Sequence, residues 1–446
     1  LRWSPSCFFI ILVQSFQWAV SAQLFVMAAY LTPSGDSIGG GYKSVRDEFP
    51  DEPLLFGWLD SYELISSIGF IGNLLFGTIP NLLSDRYGRR TVLMVVLFCI
   101  ALADLACALA PNFWFLIGGR FVQGSFLNAI ASLNFVHCME SVAPSRRFLA
   151  SCGFGFFWTL GYCIVAPTAL LVGTWRWIFG INSIAAFACS IVQLVLVPES
   201  PYYCVAQGDK RKLEQFVTRT QWINRRSYEV DYEAIMRKQN TDGEAAETTV
   251  TTIGASLAFL FRNPPVLLLL IVMGYLEIAT LLSYAGISIA STTLDVGDAN
   301  WNFVLSGAVE FPAYCVAPKF LDWFPAKFVM IAVYAGASGA LFALKFIPHD
   351  LTTLYIAFWL LAKFFATSCY MATLVVASQL FPTKCRSFAV GFALTFSNIG
   401  SIFAPQLLSL LNNILPDLAF LVFGAALAVA TVLVAFFIPK KTRFEA

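Results

Sequence analysis

Residues Ser84-Asp85-Arg86-Tyr87-Gly88-Arg89-Arg90 form a short charged stretch between two long apolar runs, roughly 57–83 and 91–110. Each run is long enough to cross the ~30 Å hydrocarbon core of a bilayer as a helix. A stretch with three arginines and an aspartate cannot lie in lipid. Because short loops rich in Lys and Arg stay on the inner side of a membrane, we predict that this stretch is a cytoplasmic loop between two transmembrane helices.

The overall composition also indicates a membrane protein. The chain has 446 residues, of which 58% are hydrophobic and 12% charged, and its mean hydropathy is +0.72. A soluble protein of this composition would expose far more apolar surface than folded proteins do. The net charge of +1 gives no indication of nucleic-acid binding. The first apolar run continues to about Tyr30 and is too long for a cleavable signal peptide.

The cysteines and the possible catalytic motifs point away from an enzyme. The sequence has 11 cysteines, most of them inside or at the ends of apolar runs, and we expect them to be reduced. No CxxC pair or Cys/His cluster has metal-ligand spacing. No Gly-rich nucleotide-binding loop and no catalytic triad is recognisable in the sequence. We therefore predict a protein that is not an enzyme and that uses no metal or cofactor.

Twelve apolar runs are arranged six and six around a polar segment. The predicted spans are about 7–31, 57–83, 91–110, 113–137, 148–173, 176–197, 264–290, 300–321, 327–347, 351–377, 387–411 and 417–438. We predict an all-α membrane protein of twelve transmembrane helices in two six-helix bundles, residues 1–197 and 264–438. Residues 198–263 are predicted to be a cytoplasmic linker with short amphipathic helices, and residues 439–446 a cytoplasmic tail. This division is typical of two parallel repeats in a transporter.

The distribution of basic residues predicts the orientation of the chain. With both termini in the cytoplasm, only Lys43 and Arg46 lie clearly outside. Nine basic residues then lie in the inner linker: Lys210, Arg211, Lys212, Arg219, Arg225, Arg226, Arg237, Lys238 and Arg262. Because positive charge accumulates on the cytoplasmic side, we predict that both termini are cytoplasmic.

Five motifs occur in a specific order along the chain. They are Asp85-Arg86-Tyr87-Gly88-Arg89-Arg90, Gly119-Arg120-Phe121 in helix four, Pro198-Glu199-Ser200-Pro201 after helix six, Glu310-Phe311-Pro312 in helix eight and Gln379-Leu380-Phe381-Pro382 at the end of helix ten. Together they resemble the organic cation, anion and carnitine transporter family of the major facilitator superfamily. The resemblance implies the major facilitator fold and a carrier of small organic ions in a lipid bilayer, most often the plasma membrane, with a monomeric transport unit.

The sequence departs from this family at several positions. The family usually has Gly at the position of Asn81, Arg at that of Tyr202 and Glu at that of Gln379. Its second charged loop is reduced here to 322–327. The resemblance also implies a large cysteine-bearing extracellular domain after helix one, where this chain has only about 32–56, without cysteine.

Charged residues near the cytoplasmic helix ends form a candidate gating network. Carboxylates and arginines at neighbouring helix ends either cross-link the inner ends of the bundle in one state of a transport cycle, or only flank the helices and fix the topology. The residues are Asp85, Arg86, Arg89, Arg90, Arg120, Glu140, Arg146, Glu199 and Arg386.

Polar and aromatic residues inside the predicted spans are the candidate substrate-binding residues. They are Glu277, Tyr284, Glu310, Lys363, Asn398, Trp158, Tyr162 and Asp60. Glu277 and Tyr284 are two turns apart, so they share one face of helix seven, and a carboxylate beside an aromatic ring suits an organic ammonium ion. The alternative for Glu277 is a protonated acid in an interhelical hydrogen bond.

The resemblance adds an expectation about the remaining positions. It places Tyr284 and Glu310 at cavity positions and Lys363 at a position that is basic across the family. Asn398 lies where cation carriers tend to have Asp and anion or carnitine carriers Arg. The carboxylates of Glu277 and Glu310 carry two negative charges, and the ammonium group of Lys363 carries one positive charge. The cavity is therefore predicted to have one net negative charge, which favours a cation or zwitterion.

The sequence is compatible with three functions. The first is a carrier that moves small organic ions, with a cation or zwitterion favoured, by alternating access as a uniporter or exchanger. The second is a proton-coupled porter of sugar-like or other neutral solutes. The third is a ligand sensor that binds without transporting.

Overall fold

The computed structural model describes residues 5–33, 35–50, 60–143, 146–226, 230–232, 261–294, 296–381 and 386–439. These residues are almost entirely helical. The described part has one isolated β-bridge, between Lys43 and Thr174, in the connections after helices one and five.

The first six spans are helical, and three of them are interrupted. Helix one is Pro5–Val26, helix three Arg89–Ala108 and helix six Trp175–Val195. Helix two consists of Leu64–Phe76 and Ile79–Tyr87, helix four of Phe113–Gly124 and Leu127–Ser141, and helix five of Arg147–Cys163 and Val165–Val172. The connection after helix one contains three single-turn helices, Ala28–Leu31, Gly35–Ile38 and Val45–Glu48.

The last six spans follow two helices of the linker. The linker helices are Pro201–Ala206 and Lys210–Asn224, and the second buries Leu213, Phe216 and Val217. Helix seven is Pro264–Ala290, helix eight Ala299–Ala308 and Glu310–Trp323, helix nine Ala326–Phe346, helix ten Thr352–Leu380, helix eleven Arg386–Ile414 and helix twelve Leu418–Phe437.

The described residues contain nine helices that are long and apolar enough to cross a membrane, or ten when the two segments of helix two, bent by 44°, are taken as one span. Helices four and eight complete the set as pairs of shorter segments. The twelve helical spans predicted from the sequence are confirmed. The interruptions were not predicted, because hydropathy does not report a local bend.

Helices two and four approach each other closely through glycine. A Cβ atom added at Gly124 would lie 2.0 Å from the carbonyl oxygen of Gly69, and one added at Gly72 would lie 2.3 Å from the carbonyl oxygen of Phe121. Small residues that let backbones touch are the usual means of packing helices in a membrane, where burial from water gives no driving force. Glycine is therefore required at this crossing.

The apolar core is divided between the two halves of the chain. One buried cluster is built from helices one to six and includes Leu24, Leu97 and Phe179. A second is built from helices seven to twelve and includes Met273 and Trp359, and a smaller third one joins Ile10 of helix one to Phe216 of the linker. Phe303 of helix eight packs into the first cluster and ties the halves together.

Cross-bundle hydrogen bonds join the two halves at the end that carries the short helices Ala28–Leu31 and Val45–Glu48, which we call the outer end. Thr292 Oγ1 donates to the carbonyl of Ala29 at 2.6 Å, and Asn300 Nδ2 donates to that of Ile38 at 2.9 Å. Ser67 Oγ donates to the carbonyl of Ile402 at 2.7 Å. The outer ends of the bundles are therefore held together in this structure.

Glu48 ties the connection after helix one to the start of helix six. Arg176 forms an ion pair with Glu48 at 2.5 Å, and Trp175 Nε1 donates to the same carboxylate at 2.7 Å. Burial alone would raise the pKa of Glu48, but the hydrogen bonds from Arg176 and Trp175 outweigh it, so the pKa lies below that of a free glutamate. The outer surface is thereby braced around the Lys43–Thr174 bridge.

Candidate functional site

A cavity lies between the two bundles, and we call it the central cavity. It encloses about 110 Å³, below the roughly 300–1,000 Å³ typical of pockets for drug-sized ligands. Its walls come from both halves: Trp18, Ser21, Phe25, Phe70, Asn73, Leu127, Asn128, Ala131 and Trp158 from the first, and Leu281, Tyr284, Tyr314, Thr367, Tyr370, Met371, Leu394, Ser397 and Asn398 from the second. A small solute bound there touches both bundles at once.

An ion pair lies directly behind the aromatic wall of this cavity. Lys363 Nζ is 2.9 Å from Glu310 Oε1, and both side chains are fully buried. Glu310 begins the second segment of helix eight, directly after the interruption at Val309. Lys363 also donates to Ser288 Oγ at 2.5 Å. A buried charge of this kind persists only when it is paired and hydrogen-bonded, and here each charge compensates the other.

Aromatic side chains connect the ion pair to the cavity. Trp158 Nε1 donates to Glu310 Oε2 at 2.9 Å, and Tyr284 OH donates to Glu310 Oε1 at 2.8 Å. The ammonium nitrogen of Lys363 lies 3.5 Å from the centroid of the Tyr284 ring, which is a cation–π contact. Trp158 and Tyr284 therefore present one face to the cavity while their polar ends bind Glu310.

Two asparagines bridge the bundles at the cavity wall. Asn73 Nδ2 of helix two donates to Asn398 Oδ1 of helix eleven at 2.7 Å. Asn73 Oδ1 in turn accepts from the backbone NH of Asn128 at 3.2 Å. This pair links helices two and eleven beside the central cavity.

Of the predicted substrate-binding residues, the structure brings six together. Trp158, Tyr284 and Asn398 line the cavity, and Glu310 and Lys363 lie one side chain behind it. Tyr162 is fully buried beside this ion pair, with its ring centroid 5.3 Å from Lys363 Nζ, and it shares a hydrogen bond with Ser306 at 3.2 Å. Asp60 lies elsewhere, in an ion pair with Arg46 at 2.8 Å near the outer end.

The prediction that Glu277 faces the central cavity is wrong. Glu277 is 1% exposed and is not among the cavity-lining residues. Its electrostatic neighbours are Tyr334 of helix nine and Cys369 and Tyr370 of helix ten, and of these three Tyr370 alone lines the cavity. Glu277 and Tyr284 do share a helix face, but two turns separate them by roughly 10 Å along the axis. Helix ten covers that face at the depth of Glu277.

This placement also corrects the predicted cavity charge. Glu310 and Lys363 neutralise each other, and Glu277 contributes no charge to the wall. The described lining contains no formal charge, so the net negative cavity is replaced by a neutral one with an aromatic surface.

Several lining residues were missed by the sequence analysis. Trp18, Phe25, Phe70, Tyr314 and Tyr370 are aromatic residues in apolar runs, where the same residues also serve as ordinary packing. Asn73 could have been identified from the sequence, because an amide in the middle of an apolar span requires a polar partner. Its partner, Asn398, was predicted.

At the inner end, part of the candidate gating network is assembled. Arg89 lies 3.0 Å from Asp85 and 3.3 Å from Glu140. Glu140 accepts from Ser200 Oγ at 2.5 Å, and Glu199 accepts from the backbone NH of Arg90 at 3.0 Å. These residues come from helices two, three and four and from the segment after helix six, so the described network ties together the inner ends of one bundle.

Three other members of the predicted network need separate comment. Arg86 lies 5.5 Å from the Tyr87 ring, and Arg146 precedes helix five, also at the inner end. Arg386 begins helix eleven, but its side chain is outside the part of the chain that the structure describes.

Arg120 does not belong to the inner network, which corrects that prediction. It is buried in the outer half of helix four, where its Nε donates to the carbonyl of Ile65 at 3.2 Å and its Nη1 donates to Gln123. Gln123 donates to Asp104, which also accepts from Asn182 at 2.7 Å. Arg120 thus joins helices two, three, four and six inside the first bundle. It is the eighth residue of Phe113–Gly124, far along the chain from Glu140 at the other end of helix four.

The family model that matches the chain is described as sugar (and other) transporter, and it covers residues 50–444. The chain belongs to this family. It is therefore a multi-pass membrane transport protein of the major facilitator fold and not an enzyme.

Curated relatives with low sequence identity also indicate a transporter family. The chain is 25% identical over 372 residues to organic cation transporter 1 of Caenorhabditis elegans, covering 83% of this chain and 62% of that protein. It is 28% identical over 344 residues to the beta-alanine transporter of Drosophila melanogaster, covering 76% and 55%. It is 26% identical over 377 residues to solute carrier family 22 member 2 of Rattus norvegicus, covering 84% and 65%. The chain thus spans 55% to 65% of the length of these relatives.

These relatives confirm the resemblance inferred from the ordered motifs.

Solved structures support the fold. The inward open conformation of the xylose transporter XylE from E. coli matches 98% of this chain and 97% of its own with a TM-score of 0.71 at 16% identity. The predicted fold class, twelve helices in two six-helix bundles, is confirmed by this match.

Proposed function

We propose that this protein carries small organic cations or zwitterions across the plasma membrane by alternating access. The observation that supports this most directly is the central cavity itself. It lies between two six-helix bundles, is small, and has an aromatic wall backed by a buried, mutually neutralised ion pair. Relatives named for organic cations and for beta-alanine support the same class of substrate.

The cavity favours an ammonium group through its aromatic surface. Trp18, Phe25, Trp158 and Tyr284 line one region of it, and an ammonium ion is attracted to the faces of such rings by about 0.5–2 kcal/mol. A zwitterion gains a second contact when Asn73 Nδ2 exchanges its hydrogen bond to Asn398 for one to the carboxylate of the zwitterion. An anion without an ammonium group gains little, since Lys363 is already paired with Glu310.

Alternating access follows from the contacts between the bundles. In this structure the outer ends are joined by Thr292–Ala29, Asn300–Ile38 and Ser67–Ile402. Breaking these bonds opens the cavity outward, and the binding of a solute that touches both bundles lowers the barrier between the two arrangements. Both termini are proposed to be cytoplasmic, because the linker carries Lys and Arg in excess.

The test is uptake by Xenopus oocytes that express the chain, normalised to its amount at the cell surface. Tetraethylammonium, carnitine, beta-alanine and 4-aminohippurate represent a cation, two zwitterions and an anion. Saturable uptake of a cation or zwitterion at least fivefold above water-injected oocytes, with the anion at background, supports the proposal. Uptake of the anion alone contradicts the charge preference, and binding without uptake of any compound contradicts the carrier.

A further inference from the structure

A second cavity lies at the outer end, between helix two and the second bundle, and we call it the outer cavity. It encloses about 250 Å³. Among the described residues, Glu63 is the one from the first bundle that lines it, and Thr293, His349, Asn413 and Asp417 are among those from the second. None of its lining residues lines the central cavity, so the two are separate sites.

One wall of the outer cavity is fixed by Asp417. Its Oδ2 accepts from His349 Nε2 at 2.8 Å, and its Oδ1 accepts from Tyr355 OH at 2.7 Å. The backbone of Asp417 has a φ of 62°, in the left-handed region. Because both carboxylate oxygens are anchored, Asp417 has a fixed orientation and supplies a stationary charge.

Glu63 supplies the opposite wall, and it has an unused acceptor. Its Oε2 is buried and accepts no hydrogen bond from any described residue. The neighbouring charges are Asp60 and Arg46, which form an ion pair with each other at 2.8 Å. Lys345 is a further cation near the outer cavity, and it donates to the carbonyl of the lining residue Pro416 at 2.8 Å. A buried carboxylate oxygen without a donor is costly, and a cation with N–H groups would satisfy it.

The rest of the lining suits the organic part of such a ligand. Leu294, Leu408 and Phe420 provide apolar surface, and Ser409 and Asn412 provide further polar atoms. The lining as a whole is mostly polar, so the outer cavity suits a ligand whose organic part is small.

We propose that the outer cavity is a second binding site, for a small organic ammonium ion that carries N–H donors. The ammonium group binds between Glu63 and Asp417, and the organic part packs on Leu294, Leu408 and Phe420. Since Glu63 belongs to one bundle and Asp417 to the other, the bound ion bridges the bundles and stabilises the closed outer end. This site does not depend on transport through the central cavity.

The experiment measures equilibrium binding of radiolabelled benzylammonium to the purified full chain in detergent. Wild-type protein is expected to show a class of sites that Glu63→Gln weakens at least tenfold. Asp350 is exposed, follows His349 in the chain and does not line the cavity, so Asp350→Asn should change the affinity less than twofold. Benzyltrimethylammonium has the same charge without N–H donors and should bind this class at least tenfold more weakly.

A second variant tests the location without removing a charge. Ser409→Phe fills the outer cavity and should abolish the same class of sites, and it decides the question if Glu63→Gln does not fold. Binding that survives both variants belongs to the central cavity and leaves the proposed transport function intact. The proposal is overturned if neither variant weakens benzylammonium binding, if Asp350→Asn weakens it as much as Glu63→Gln, or if wild-type protein does not bind the ion.

Discussion

At the scale of single residues, the pairing of Glu310 with Lys363 controls the chemistry of the central cavity. Each charge is fully buried, and each has further polar contacts, from Trp158 and Tyr284 to the carboxylate and from Lys363 to Ser288. Removing one partner leaves the other as an uncompensated charge, which is far more costly than removing both.

We therefore predict non-additive effects in a double-mutant cycle at this pair. Lys363→Met and Glu310→Gln should each destabilise the protein by about 3–5 kcal/mol, the scale measured when one partner of a buried pair is removed. The double variant should recover most of that loss, because no unpaired charge remains. Thermal unfolding of the purified variants in one detergent measures the cycle. Additive losses in the double variant would mean that the two charges do not compensate each other.

A second residue-scale prediction concerns Glu277. Because this side chain lies inside the second bundle and outside the cavity lining, Glu277→Gln should change the KM for an organic cation less than twofold. Asn398→Asp, which places a carboxylate in the cavity wall, should lower it by several-fold and serves as the positive control. Concentration-dependent uptake at matched surface expression gives both values. A tenfold rise in KM for Glu277→Gln would show that its carboxylate reaches the substrate.

At the scale of helices, the crossing of helices two and four depends on Gly124. A methyl group there would collide with the backbone of Gly69, whereas one at Gly118 in the same helix meets nothing within 4 Å. Gly124→Ala should cost about 1–3 kcal/mol through overpacking, and Gly118→Ala should be neutral or slightly stabilising because alanine favours the helix. Melting temperatures of the two variants make the comparison. Equal melting temperatures would mean that the helices do not cross at this contact.

The sequence predicts helices well and their contacts less well. The twelve spans follow from apolar length, and the ordered motifs led to the family. The interruption before Glu310 did not follow, since the residues Ala308-Val309-Glu310 read as continuous helix. The sequence correctly predicted that Glu277 and Tyr284 share one face of helix seven. The periodicity of one helix does not indicate which neighbouring helix covers that face at the level of Glu277. Arg120 was misplaced for a related reason, because its motif carries no information about depth.

At the scale of the whole molecule, the inner network braces one bundle so that it moves as a unit. Arg89 contacts Asp85 and Glu140, and its guanidinium lies 5.1 Å from the Tyr203 ring. Asp85 is 69% exposed, so its pair with Arg89 contributes little alone. Rocking of one bundle against the other requires that each stays rigid.

This arrangement predicts a graded effect on turnover. Arg89→Gln should reduce the maximal uptake rate more than Asp85→Asn does, because it removes contacts with three partners. Substrate affinity in the same variants should stay within twofold, since neither residue touches the central cavity. Initial rates and equilibrium binding are measured on the same preparations. A loss of affinity that matches the loss of rate would place these residues in the binding step.

The central claim, that the two bundles alternate around one cavity to carry a small organic cation or zwitterion, is tested most directly by counterflow. Purified protein is reconstituted into liposomes that contain a millimolar concentration of the unlabelled substrate found in the oocyte screen, and a trace of the labelled compound is added outside. A carrier predicts that internal label rises transiently well above its external concentration, because one site exchanges outer for inner solute. Label that never exceeds the amount bound to the protein would contradict alternating access and identify the protein as a binder that does not transport.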